Sequence, residues 1–327
     1  MSSFKRSAAV LAVMLAACGS VAIAAPDKAS PPVAIKAGKT TLLDFAVVGN
    51  ALVAVGERGV VMRSEDAGRT WKGFNTASSR SLTAVAFTDD KVGVVVGHGG
   101  TILRTENAGL SWDAIKVKDV GEDALLGISL LKNGNLVACG AFGLYLVSED
   151  QGKTWRRERI IAEDFERHIS KVIETRTSMM LVGETGVMAR SEDGGKQWKL
   201  LTTPYAGSYF GILELNSGAL LAFGMRGNIY RSKDQGTSWE KMSFNSKSTL
   251  NGGSVARDGR IVLAGNNGLI AVSADEGQTF TYTHAPEGTS LSQARMLNNN
   301  DIVYIGHMAV GHQAADSKSA SLAASSK

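Results

Sequence analysis

Short apolar runs recur down this chain, residues 92–96 and 220–223 among them, each cut off by a polar or glycine-containing break. The breaks are of two alternating kinds. One is Gly-x-x-Gly: Gly56-Glu57-Arg58-Gly59, Gly97-His98-Gly99-Gly100, Gly140-Ala141-Phe142-Gly143, Gly183-Glu184-Thr185-Gly186, Gly224-Met225-Arg226-Gly227 and Gly265-Asn266-Asn267-Gly268. The other is an eight-residue phrase, Ser64-Glu65-Asp66-Ala67-Gly68-Arg69-Thr70-Trp71 in its first copy, called the box below. Its closing aromatics are Trp71, Trp112, Trp155, Trp198, Trp239 and Phe280, at intervals of 41, 43, 43, 41 and 41 residues. Strand, glycine turn, strand is a hairpin signal. In the second unit the strands are predicted at residues 82–88, 92–96, 101–104 and 113–117. A near-constant period of this size with several short strands per unit is the signature of a β-propeller.

Six units carry the full pattern. A seventh is partial, with strands predicted at residues 292–297 and 301–305, ending at Gly306-His307-Met308-Ala309 with no box behind it. Residues 32–37 could supply its missing strand and close the ring. The expectation is therefore an all-β, seven-bladed propeller, six box blades plus one partial blade closed by the N-terminal segment, with a six-bladed ring as the alternative.

The box reads as a tight turn between antiparallel strands. Its Ser hydroxyl and Asp carboxylate can hold nearby backbone groups, its Gly supplies a positive φ, and its aromatic can bury a large apolar face. This is the Asp-box pattern of sialidase-like propellers and of several non-enzymatic ones. Asp66, Asn107, Asp150, Asp193, Asp234 and Asp275 occupy the central position, and a group needed once for catalysis would not be copied into every blade. They are structural on this reading. A Gly-rich turn can also cradle phosphate, but that requires a helix N-terminus behind it, and strands follow here.

The ends and the composition narrow the setting. Lys5-Arg6 followed by the apolar residues 8–17 reads as a secretion signal, too short and Ala-rich for a stable span. Leu15-Ala16-Ala17-Cys18 matches a lipoprotein box that would place lipid on Cys18, and Ala22-Ile23-Ala24 matches ordinary signal peptidase. The signal is thus residues 1–24, or 1–17 in a lipoprotein, followed by a linker at 25–40, the propeller at 41–312 and a disordered Ser/Ala/Lys-rich tail at 313–327. Either route exports the protein, to the periplasm, free or tethered through Cys18. Loss of Lys5 and Arg6 lowers the formal net charge from +4 to +2, which argues against a nucleic-acid partner. Cys139 then stands alone, a small core residue with no disulfide framework. His98, His168, His284, His307 and His312 show no metal spacing, no nucleophile elbow is present, and no metal or small-molecule cofactor is expected.

In a four-stranded blade the boxes and the inner-strand turns face one side, and the Gly-x-x-Gly turns and inter-blade loops face the other. The second face is where chemistry varies: Arg58, His98, Phe142 and Arg226 occupy equivalent turns, and Tyr205 and Tyr209 lie in a neighbouring loop. Divergent positions on one rim of a repeat are candidates for recognition, against the blander reading of ordinary solvated turns. Four boxes are preceded by Arg63, Arg104, Arg190 and Arg231, and two by Val147 and Val272. The arginines form either a basic patch for acidic partner segments or local bridges to Glu65, Glu106 and Glu192.

The Gly-x-x-Gly-(apolar)-x-Arg-Ser-x-Asp-x-Gly-x-Thr-Trp run, over roughly residues 40–310, resembles the photosystem II stability and assembly factor family. Arg63, Arg104, Arg190 and Arg231 match that family's Arg position, and Val147 and Val272 depart from it. The resemblance implies a seven-bladed propeller of the thylakoid lumen or periplasm that assists membrane subunits without being an enzyme, here an exported, monomeric scaffold for a membrane protein or complex. The alternative is a sialidase-like glycoside hydrolase or a glycan-binding propeller. The hydrolase needs three arginines, a Tyr-Glu pair and an acidic proton donor on the rim. Its early Arg-Ile-Pro motif is missing, since prolines stand only at 26, 31, 32, 204 and 286.

Overall fold

A computed structural model describes residues 32–315 apart from Asp119, Glu163 and Asn299. The secretion signal, Cys18 and its two processing sites lie outside the described residues, as does the tail from residue 316. Seven antiparallel sheets form the ring: blade I spans residues 42–75, II 82–114, III 125–157, IV 169–200, V 209–241, VI 250–284 and VII 291–314. The chain is a seven-bladed β-propeller. Within each blade strands pair in chain order; blade II runs Leu82–Phe87, Gly93–Gly97, Ile102–Thr105 and Asp113–Ala114 from the channel outward.

The pattern of burial follows from this stacking. Each second strand has neighbouring blades over both faces, so Gly93–Gly97, Leu136–Gly140, Met179–Gly183, Leu220–Gly224 and Ile261–Gly265 are buried at every position. Such strands read as unbroken apolar runs rather than alternating ones. The core is accordingly shared between blades. Val94, Val96 and Ile102 of blade II pack with Ile128, Leu136 and Leu146 of blade III. Val137 and Tyr145 of blade III pack with Val172, Leu181 and Trp198 of blade IV. Full burial of one such aliphatic side chain contributes about 1.5–3 kcal/mol. Each inner strand carries a bulge near its start, as between Leu42 and Asp44 or Leu82 and Ala84. The bulges turn the strand ends toward the channel.

The N-terminal segment behaves differently from the expectation. Pro32–Val33 pairs with Lys72–Asn75 as a fifth, outermost strand of blade I, and blade VII keeps three strands. Pro32 has no N–H to donate and sits at a sheet edge, where that omission costs nothing. Closure comes instead from side-chain packing and a single backbone bridge: Ile35 and Ala37 pack against a cluster containing Val303, Ile305 and Val310 of blade VII, and Thr41 forms an antiparallel bridge with His307. At the other end, Gln313 and Ala314 belong to the strand Ala309–Ala314, so ordered structure passes residue 312.

Candidate functional site

Both rims are built from left-handed turns. In the box, residue four and the glycine after it both take positive φ, as Ala67 (60°) and Gly68 (86°) do. The polar groups of the turn close on themselves. Ser64 Oγ donates to Asp66 Oδ1 at 2.8 Å and accepts from Gly68 N at 2.8 Å, while Thr70 donates its N–H and its hydroxyl to Asp66 at 2.8 and 2.6 Å. The same set recurs around Asp150, Asp234 and Asp275. Asp193 lacks the second hydroxyl bond because Gln197 replaces Thr, and it is held by the Ser191 hydroxyl and by the backbone N–H groups of Lys196 and Gln197. Asn107 reverses one bond, donating Nδ2 to Ser111 Oγ at 2.9 Å. Hydroxyl and backbone donors hold the Asp66 carboxyl down at about 2, led by the Thr70 hydroxyl, and the Ser238 hydroxyl does the same for Asp234. Each box aromatic indole donates back to the box glycine carbonyl, as Trp198 Nε1 does to Gly195 O at 2.9 Å. Trp112 and Trp198 are buried, whereas Trp71, Trp155 and Trp239 are half-buried.

The four arginines before the boxes do more than bridge locally. Arg63, Arg104 and Arg190 pair with Glu65, Glu106 and Glu192 of their own boxes. Each also donates to a backbone carbonyl in the next blade's box: Arg63 to Ala108 at 3.0 Å, Arg104 to Gln151 at 2.8 Å and Arg190 to Gln235 at 3.0 Å. Arg231 reaches the next box through Glu276 Oε2 at 2.6 Å. The row is a set of inter-blade ties, and Arg104 and Arg231 are buried.

On the other rim, the second variable residue of each Gly-x-x-Gly turn is left-handed: Arg58 (56°), Phe142 (52°), Thr185 (49°), Arg226 (58°) and Asn267 (60°). In blade II that residue is Gly99, which leaves His98 as the exposed side chain of the turn. The following glycine is compelled by close approach: a Cβ at Gly227 would lie 2.0 Å from the Ser246 carbonyl oxygen. Left-handed non-glycine residues are costly, and they persist where surrounding structure fixes them. Here they point their side chains outward. Arg58, Arg226 and Phe142 are exposed, Phe142 by 53%, its ring edge-on to His168 with centroids 5.1 Å apart. The first variable residue works inward instead. Glu57 accepts Thr41 N at 3.0 Å, which holds its carboxyl below the usual range, and Glu184 accepts His168 N at 2.9 Å.

Two aromatics from the neighbouring loop part company. Tyr205 is half-buried, and Tyr209 is fully buried in a cluster with Tyr230. Tyr209 opens its inner strand at the position held by Leu42, Leu82, Leu125, Ile169, Leu250 and Leu291, all fully buried. It is a core residue, and that alignment of first positions was the signal for it. Its neighbour Phe210, 36% exposed, faces the central channel. That channel, about 340 Å³, is lined by inner strands of all seven blades, with Asp44, Lys171 and Arg295 its charged groups. Asp44 is engaged, accepting Phe45 N at 2.9 Å and Val85 N at 3.1 Å. Burial pushes the Cys139 thiol up to about 12, so it is inert at neutral pH. Among the described residues no three His, Cys, Asp or Glu side chains gather as metal ligands would, and no helix is long and apolar enough to cross a membrane.

Fold and rims together define a seven-bladed propeller with one self-satisfied face and one face of divergent, outward-held side chains. The sequence model of the photosynthesis system II assembly factor YCF48 matches residues 75–302, and the chain belongs to that family. No curated protein matches the sequence. Among solved structures, YCF48 bound to D1 peptide superposes with a TM-score of 0.70 at 20% identity, covering 83% of this chain and 92% of the other. YCF48 from Cyanidioschyzon merolae gives 0.69 at 15% identity, covering 89% and 100%. A streptogramin B lyase gives 0.73 at 11% identity, covering 86% and 95%. At these identities the structural likeness speaks for the fold alone.

Proposed function

We infer that this protein is an exported, non-catalytic, monomeric propeller that captures a segment of a membrane protein and holds it while a complex is assembled. Family membership supports the assembly role, and the D1 peptide on a solved relative supports a membrane-protein segment as the kind of client. The observation that carries the reading here is the ring of outward-held residues, Arg58, Phe142 and Arg226 in left-handed turns with His98 beside them. Rigid turns fix the backbone beneath these side chains, so that part of the ordering cost is met before binding. The box carboxylates, the most repeated acids in the chain, are consumed by their own turns, which favours a scaffold over a hydrolase. Export, with or without lipid on Cys18, is the setting the N-terminal sequence favours.

The test is affinity capture of the tagged, exported protein from crosslinked, gently solubilised membranes. Reproducible recovery of one membrane complex is expected, reduced by Arg58→Glu and Arg226→Glu with unchanged melting temperature. Equal recovery with both variants would reject the rim, and no recovery together with glycan binding would reject the scaffold.

A further inference from the structure

Each box lies back against the preceding blade. Gln235 in box V accepts a hydrogen bond from Thr177 of blade IV at 3.1 Å, and Glu276 in box VI accepts Ser217 N of blade V at 3.0 Å. Box I reaches blade VII, where Arg69 pairs with Asp301 at 3.4 Å. Blade VII has no box, so nothing of that kind covers blade VI. Position 272, where an arginine would reach for the seventh box, is Val.

What lies open there is two adjoining grooves of about 590 and 460 Å³ between the inner-strand turns of blades VI, VII and I. Arg257, Arg260 and Arg295 line them, with Asn50, Asn298 and Met296. Among the described residues Asp258 is the only carboxylate of the lining, and Arg260 holds it at 2.6 Å. Asp301 beside the grooves is held by Arg69. Arg257 is exposed and has no ion pair among the described residues. Arg295 lies over the Phe45 ring at 5.5 Å, its Nε buried without a partner. Before the boxes, Arg63, Arg104, Arg190 and Arg231 each meet a carbonyl or carboxylate brought by the box of the next blade. Among the described residues Arg257 and Arg295 have no such partner.

We propose that the uncovered turn of blade VI is a docking groove for an acidic segment of a partner protein, one that presents carboxylates to Arg257 and Arg295 where a seventh box would have lain. Charge complementarity carries the assignment, since two unpaired guanidinium groups beside an apolar floor select an anion on a peptide backbone. The assignment rests on the reading of the protein as a capturer of protein segments, and places a second contact on the opposite face from the first.

The experiment is fluorescence anisotropy of the purified protein with a short labelled peptide of Asp, Glu, Gly and Ser, against its Asn/Gln counterpart. Salt-sensitive binding of the acidic peptide alone is expected, weakened about tenfold or more by Arg257→Glu, also weakened by Arg295→Gln, and untouched by Arg226→Glu. A melt of each variant separates lost binding from lost folding, and Arg257, being exposed, is the variant that spares the core. Equal binding of the neutral peptide, or indifference to both substitutions, would overturn the groove. Binding seen only after deletion of residues 316–327 would make the chain's own end the occupant and overturn the partner assignment. Membrane capture lost in Arg226→Glu but retained in Arg257→Glu would leave the rim intact while the peptide result decides the groove.

Discussion

The two rims use the same backbone device to opposite ends. A box places a left-handed residue and a left-handed glycine in series, and so does a Gly-x-x-Gly turn. In the box the side chains turn in and are spent on the turn itself, or on the neighbouring blade through the arginine ties. In the Gly-x-x-Gly turn the left-handed residue turns out and touches little. Repetition with internal satisfaction marks the half of the ring that holds the fold. Variation with exposure marks the half proposed above for recognition. Blade VII, lacking a box, is where the holding face opens.

The largest effect that would break this contrast is in the box aromatics. Trp198→Ala should cost about 3–5 kcal/mol, since the ring is buried and edge-on to Tyr145 with centroids 5.9 Å apart. Trp155→Ala should cost about half as much because that ring is half-buried; equal losses in denaturant melts would contradict the difference. Next comes Asp150→Ala, which strips three box hydrogen bonds at once and should cost about 1–2 kcal/mol, whereas Arg58→Glu should stay within about 0.5 kcal/mol. Comparable destabilisation by the two would dissolve the distinction between rims.

Acid should loosen the box rim. The Asp66 and Asp234 carboxyls sit at about 2 in the folded chain, below their ordinary 3.8. A depressed folded pKa gives stability that is present above pH about 4 and lost as pH falls through about 2. Stability should therefore decline across that window, and Asn107→Asp, adding a titrating box, should steepen the decline; a flat profile would mean the carboxylates do not hold the turns. One substitution should bring a gain. Thr185 is β-branched at φ 49°, so Thr185→Gly should raise stability by up to about 1 kcal/mol, and a loss would show that its exposed bond from Arg167 matters more.

Blade count, strand order and the division into two rims were legible because the repeat writes each strand and each turn six times over. Ring closure was not, because Pro32–Val33 carries too little sequence to distinguish the outer edge of blade I from that of blade VII. Tyr209 was misplaced on the rim because an aromatic between a loop and a strand reads either way until its register with Leu42 and Leu82 is noticed. The arginine ties escaped the sequence for another reason. Their acceptors are backbone carbonyls of the next blade, which no residue identity announces. The open groove of blade VI combines two absences, a missing box and a valine for arginine, whose joint meaning depends on knowing that each box lies back on the blade before it.

The central claim is most directly tested by photo-crosslinking in living cells, with a photoreactive phenylalanine at position 142 or 226 on one rim and at 65 or 192 on the other. Adducts to a single membrane protein from 142 and 226, and none from 65 and 192, are the predicted result. Adducts from 65 and 192 with silence at 142 and 226 would reverse the roles assigned to the two rims.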